Sequence, residues 1–159
     1  MNDAPSAGQA KGPPAIEVHG LTKRYGDKTV VDHLDLRVER GEIHGFLGPN
    51  GSGKTTSIRM ICGLLTPDGG GGQALGHDIV KEAALLKREV GYMTQRFGLY
   101  EDLTIRENLD FVARMYAMDR RTERVDEALG RLGLKQRQNQ LAGALSGGWK
   151  QRLALAACL

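Results

Sequence analysis

The chain has 159 residues, a net charge of +3, and 40% hydrophobic and 26% charged residues, a balance that suits a globular fold with length enough for a packed core. That charge is too mild to argue for nucleic acid or lipid as a partner, and no run approaches the roughly 18 consecutive apolar residues of a membrane-crossing helix. Residues 1–14 are polar with no apolar centre, so they read as a disordered lead-in to a cytosolic protein and not as a signal peptide.

In chain order, Ile16 and Val18 alternate with Glu17 and His19, which predicts a first strand. Tyr25-Gly26-Asp27 is a turn, and Leu34, Leu36 and Val38 alternate with charged residues as a second, half-solvated strand. The short apolar run from Ile43 to Leu47 reads as a buried strand of a parallel sheet. A helix follows from about 54 to 65, with Ile58, Ile61, Cys62 and Leu65 on one apolar stripe. Gly69, Gly70, Gly71 and Gly72 predict a flexible loop. Residues 81–88 read as helical, and Val90 to Met93 as another short buried strand.

From Glu101 the chain turns helical with charged faces. Thr104 and Glu107 have the spacing of a capping box, ahead of a stripe of Leu109, Val112 and Tyr116. Val125, Ala128, Leu129 and Leu132 form a second stripe, closed by Gly133. Cys62 and Cys158 lie far apart inside helical patterns and read as small buried apolar side chains. His19, His33, His44 and His77 read as structural or surface histidines.

Two segments carry chemistry. The first is Gly48-Pro49-Asn50-Gly51-Ser52-Gly53-Lys54-Thr55, placed between a predicted strand and a helix. A triphosphate needs many donors converging on a small volume. The glycines at 48, 51 and 53 let backbone amides turn inward, and the following helix aims the positive end of its dipole at the same place. Lys54 is expected to reach the β and γ phosphates, the Thr55 hydroxyl to ligate Mg²⁺, and Thr56 to add a contact at the α phosphate. The second segment is Ser146-Gly147-Gly148 before a helical run from Trp149. Ser146 is a natural N-cap, and on the residues alone both an ordinary capped helix and a second anion-binding helix start remain open.

Taken together, the phosphate loop, Leu145-Ser-Gly-Gly148 and Gln95 between them resemble the ATP-binding-cassette (ABC) ATPases over about residues 16–159. The style of Phe46-Leu-Gly-Pro-Asn-Gly51 and of residues 92–103 is similar to the cytosolic ATPases of bacterial drug and export transporters. The resemblance implies an α/β fold of the P-loop NTPase, ABC ATPase type. Its mixed-sheet core with the phosphate loop would span 15–99, a helical subdomain 100–145, and the signature with its helix 145–159. It implies ATP and Mg²⁺ as ligands, with Tyr25 stacking on adenine and Gln95 sensing Mg²⁺ and the γ phosphate. Ser146, Gly147 and Gly148 would close over the nucleotide of a second ATP-binding subunit, in a homo- or heterodimer. Transmembrane permease subunits are the implied partners, nucleic acid is not expected, and the place of work is the cytoplasmic face of the inner membrane. Trp149 departs from the pattern, since glutamine is commoner there, but a subset of exporter ATPases resembles this chain at that position.

The family completes its hydrolytic site with an apolar strand ending in Asp, then Glu, then a later histidine. The 159 residues end on the signature helix, and Asp102, Glu107 and Asp126 fit none of those roles. The expectation is an amino-terminal fragment with exposed apolar edge, weak ATP binding and little turnover. Two other readings stay open: a truncated, non-hydrolytic nucleotide-binding or regulatory module, and a non-transport ABC ATPase acting on ribosomes or DNA. The short interval between Thr55 and Leu145, without heptads, favours transport over the latter.

Overall fold

The computed structural model describes residues 12–94 and 98–158; most of the expected lead-in lies outside them. The chain divides into two compact units, residues 1–89 and 90–159.

The first unit is built on a four-stranded antiparallel sheet in the order β2-β1-β3-β4, with β1 Ile16–Tyr25, β2 Lys28–Val38, β3 Gly69–Ala74 and β4 His77–Asp78. Both predicted strands are present and longer than their clean alternation. They form one hairpin from the Ile16↔Val38 pair to the Tyr25↔Lys28 pair, turning on Gly26-Asp27, a dipeptide suited to two-residue hairpin loops. Val18, Leu21, Val31 and Val38 supply the buried face. On the other face Arg37 pairs across the strands with Glu17 at 2.6 Å. Helix α1, Lys54–Ile61, buries Met60 and Ile61, and α2, Ala83–Glu89, buries Leu86. Helix α1 stops at Ile61 and not at 65, because Cys62 and Gly63 take the chain out of helical geometry, Gly63 at φ +67°.

Three expectations need correction. The glycine run is a strand: β3 pairs with β1 through Glu17↔Gln73, Val18↔Gly72 and His19↔Gly71. Its glycines serve close approach and not flexibility. A Cβ at Gly70 would lie 2.2 Å from the Gly20 carbonyl oxygen, and one at Gly72 would lie 2.2 Å from that of Glu17. Residues 43–47 form no strand, and Ile43 and Leu47 are 101% and 95% exposed. Residues 90–93 form none either, with Val90 and Tyr92 only half-buried. A buried parallel strand needs a backbone ladder beside it and a layer over each face; among the described residues neither segment has a ladder partner.

The second unit is helical. Helix α3, Ile105–Met115, opens on the expected capping box: the Glu107 amide donates to the Thr104 hydroxyl at 3.2 Å, and the Glu107 carboxylate accepts from the Thr104 amide at 2.8 Å. Helix α4 is Arg121–Arg131 and α5 is Gly147–Ala156, with 3₁₀ turns at Lys135–Arg137 and Ala142–Ala144 between them. The core joins Ile105 and Leu109 of α3, Val125 and Leu129 of α4, Leu134, and Leu153 of α5. Tyr116 is not on the buried stripe as expected. It is the C-cap of α3 and exposed, because the helical period that carries Leu109 and Ala113 inward ends at Met115. The α4 stripe is as read: Val125 and Leu129 are buried, and Ala128 and Leu132 pack against them.

Candidate functional site

The phosphate loop leaves the exposed segment at Leu47 and enters α1 at Lys54. Gly53 is the N-cap, at φ +85° and ψ 0°, a left-handed conformation that favours glycine. A Cβ there would lie 2.5 Å from the Val30 carbonyl oxygen and 3.0 Å from a Val31 methyl, so the loop's end is seated directly on β2. No side chain caps α1, so its first amides keep their donors for another acceptor. The first bonds inside the helix come from Ser57, whose amide and hydroxyl both donate to the Gly53 carbonyl, at 2.8 and 3.1 Å.

Gly48, Pro49, Asn50, Gly51 and Ser52 are exposed. The Ser52 amide closes a turn onto the Pro49 carbonyl at 3.3 Å. The Lys54 ammonium is held over this turn by the carbonyls of Gly48 and Pro49, both at 2.6 Å, and by the Ser52 hydroxyl at 3.3 Å. A cation so placed lies over a ring of backbone groups, where an anion entering the loop would meet it. Thr55 is exposed and Thr56 half-buried, both in the first turn of α1. The exposed Thr55 hydroxyl is an oxygen donor of the kind a hard divalent cation takes. Gln95 lies outside the described residues.

Tyr25 is half-exposed at the hairpin end of β1. Strand β2 joins it to the loop: Lys28 is its register partner, and Val30 and Val31 back Gly53. Lys23, which sequence reasoning did not single out, stands beside Tyr25. Its ammonium lies 5.8 Å from the centre of the Tyr25 ring and is fixed by Asp68 at 2.8 Å and the Thr66 carbonyl at 2.9 Å. The signal was available in part, since residues two apart share one face of a strand; the partner Asp68 comes from a distant loop. The Lys23 ammonium, with the Arg24 amide, holds the Asp68 carboxyl below the usual carboxylate range.

The second segment lies in the second unit. Ser146 sits at the N-cap of α5 with extended backbone, and its hydroxyl makes no capping bond. Ser146, Gly147 and Gly148 are all exposed. Behind them Lys150 reaches Glu101 at 2.6 Å, and the amides of Ala142 and Gly143 bond to the Leu103 and Glu101 carbonyls at 2.9 and 2.8 Å.

The four histidines each stand beside a carboxylate. His33, His44 and His77 stand 2.7, 3.1 and 3.0 Å from Asp32, Glu42 and Glu89, and His19 is 3.9 Å from Asp35. Cys62 and Cys158 are free thiols, half-buried, and burial pushes both above the ordinary thiol range. Glu107 is spent in the capping box, and Asp126 is paired with Arg106. Among the described residues no cluster of three or more His, Cys, Asp or Glu could hold a metal ion, and no helix is long and apolar enough to cross a membrane.

Known proteins resemble this chain over most of its length. The probable multidrug ABC transporter ATP-binding protein YbhF of Escherichia coli is 41% identical over 150 residues, covering 93% of this chain and 26% of that protein. The daunorubicin resistance ATP-binding protein DrrA3 of Streptomyces coeruleorubidus is 45% identical over 147 residues, covering 91% of this chain and 46% of that one. The chain thus spans less than half the length of these relatives. Among solved structures, cbiO1 from Clostridium perfringens, part of the ABC transporter complex cbiONQ, superposes with a TM-score of 0.80 at 26% identity, covering 92% of this chain and 61% of that one. The family model described as ABC transporter matches residues 31–159, and the chain belongs to that family, among its ATP-binding proteins.

Proposed function

We propose that this chain is the nucleotide-holding part of an exporter-type ABC transporter. In this reading the loop from Gly48 to Thr56 cradles the triphosphate of ATP, Lys54 faces its β and γ phosphates, and Tyr25 stacks on the adenine. Thr55, with Gln95, holds Mg²⁺, which when bound supplies positive charge to the phosphate oxygens. Ser146, Gly147 and Gly148 meet the nucleotide of a second ATP-binding subunit, and permease subunits at the cytoplasmic face of the inner membrane carry the substrate. The observation that carries the reading is Gly53. Its left-handed backbone, pressed against Val30, leaves the start of α1 uncapped beside the Lys54 ammonium. Such a helix start offers amide donors, dipole and cation together, which suits a polyphosphate.

In the same reading, 15–99 acts as the ATP-binding core, 100–145 as the helical subdomain, and 145–159 as the segment presented to the second nucleotide. By themselves the 159 residues bind ATP weakly and turn it over little, and Glu107 and Asp126 are held in structural contacts. The relatives named above are drug-resistance and multidrug proteins, which favours export over a role on ribosomes or DNA.

Isothermal titration of the purified chain with Mg-ATP tests this. Saturable binding that is lost in Lys54→Ala, with the fold intact by circular dichroism, is the expected result. Equal binding by wild type and Lys54→Ala would remove the phosphate loop from the function.

A further inference from the structure

Helix α5 starts poorly by its own sequence. Its N-cap hydroxyl makes no capping bond, and its first two residues are Gly147 and Gly148, which lose more chain entropy in a helix than other residues do. Its first turn therefore depends on what the rest of the unit supplies.

Trp149 is the first residue of α5 with a side chain. It packs, half-buried, against the core cluster. Two guanidiniums lie over its ring, that of Arg137 at 4.5 Å and that of Arg152 at 4.9 Å from the centroid. An indole face attracts a cation more strongly than any other side-chain ring. Arg152 stands three residues further along α5, so its contact ties the first turn to the second. Arg137 comes from the separate 3₁₀ turn at Lys135–Arg137 and ties the helix to another segment. The same arginine donates to the Gln140 side chain at 3.3 Å, and Gln140 donates to the Ala144 carbonyl at 3.4 Å. One guanidinium thus reaches both the turn after Ser146 and the chain just before it.

We infer that Trp149 is a positioning residue: its stack with Arg137 and Arg152 orders the first turn of α5 and so sets Ser146, Gly147 and Gly148 for the nucleotide of a second subunit. The last step rests on the proposed function; the ordering of the turn does not. Trp149 itself acts through the segment, without touching nucleotide. A glutamine at this position would offer no aromatic face, so in this chain it would leave both guanidiniums without their platform.

The test uses the full-length protein, with wild type, Trp149→Gln, Trp149→Phe and the Arg137→Gln/Arg152→Gln pair. Hydrogen exchange is read at Lys150, whose amide makes the 2.9 Å bond to the Ser146 carbonyl that opens α5. Exchange there should quicken about tenfold in Trp149→Gln while α3 and α4 keep their protection. ATP-driven self-association, by sedimentation velocity, should weaken by about the same factor with single-copy ATP affinity unchanged. Trp149→Phe should recover most of both effects. Adding Trp149→Gln to the double arginine variant should change little further, as coupled residues do in a mutant cycle.

Unchanged exchange at Lys150 would overturn the inference. Equal loss of protection in α3 and α4 would also overturn it, by making Trp149 a general packing residue. Looser exchange without weaker association would overturn the positioning role. Wild type that never associates with ATP, while Trp149→Gln still loosens the turn, would leave the stack standing and bring down the proposed function.

Discussion

At Gly53 two independent demands meet. The backbone is at φ +85°, and the space a methyl group would fill is taken by the Val30 carbonyl. Gly51 stands at φ +82° with nothing within 4 Å of its Cβ position. The pair separates strain from contact. Gly51→Ala is expected to cost about 1–3 kcal/mol from backbone strain alone. Gly53→Ala should destabilise by more and abolish ATP binding, because the loop must also lift off β2. Urea unfolding and ATP titration of both variants check this; equal losses would mean that the contact with Val30 does not matter. Spacing made the turn at Gly53 and the helix start at Lys54 legible, since a local motif carries its own geometry. Lys23, Arg137 and Arg152 were not legible as site neighbours, because Tyr25 and Trp149 acquire them through partners placed by tertiary structure.

Individual elements show the same division. The α3 capping box was readable because both of its halves lie within four residues. Thr104→Ala should cost about 1 kcal/mol in thermal or urea unfolding. The Glu107 carboxyl is held below its usual range by the Thr104 amide and hydroxyl. A folded value lower than the unfolded one contributes stability that is present above about pH 4.3 and lost as pH falls through the folded value. The stability gap between wild type and Glu107→Gln should therefore narrow as pH drops below about 4. A gap that stays constant down to pH 2 would show that the carboxylate form is not what holds the cap. Strand β3 was misread because four glycines carry no pattern of their own. Only the register against β1 shows that Gly70 and Gly72 are required by the nearness of two carbonyls. Gly72→Ala, with its Cβ position 2.2 Å from the Glu17 oxygen, should destabilise the first unit by several kcal/mol. A loss below about 0.5 kcal/mol would restore the reading of a loop.

Taken as a molecule, the chain keeps its apolar residues inside at β1, β2 and α1 and leaves Ile43 and Leu47 bare. Periodicity identified residues 43–47 as a strand by what they would bury, and burial depends on neighbours that the segment itself does not encode. Backbone amides at 43–47 of the 159-residue chain should exchange nearly as fast as an open peptide, while those of the β1–β2 ladder stay protected. Slow exchange there would reveal a covering layer that the described residues do not supply.

One buried side chain in the second unit has a consequence of a mechanical kind. Asn108 is fully buried in α3. Its oxygen accepts from the Tyr100 amide at 2.8 Å, and its amide group donates to the carbonyls of Tyr100, Leu103 and Thr104 at 2.8, 3.3 and 3.0 Å. A side chain so fully engaged cannot release one partner without stranding polar groups away from water. Residues 100–104 and α3 therefore travel as a single solid piece. A push delivered at Tyr100 is not absorbed by a yielding loop; it arrives at the helix as displacement.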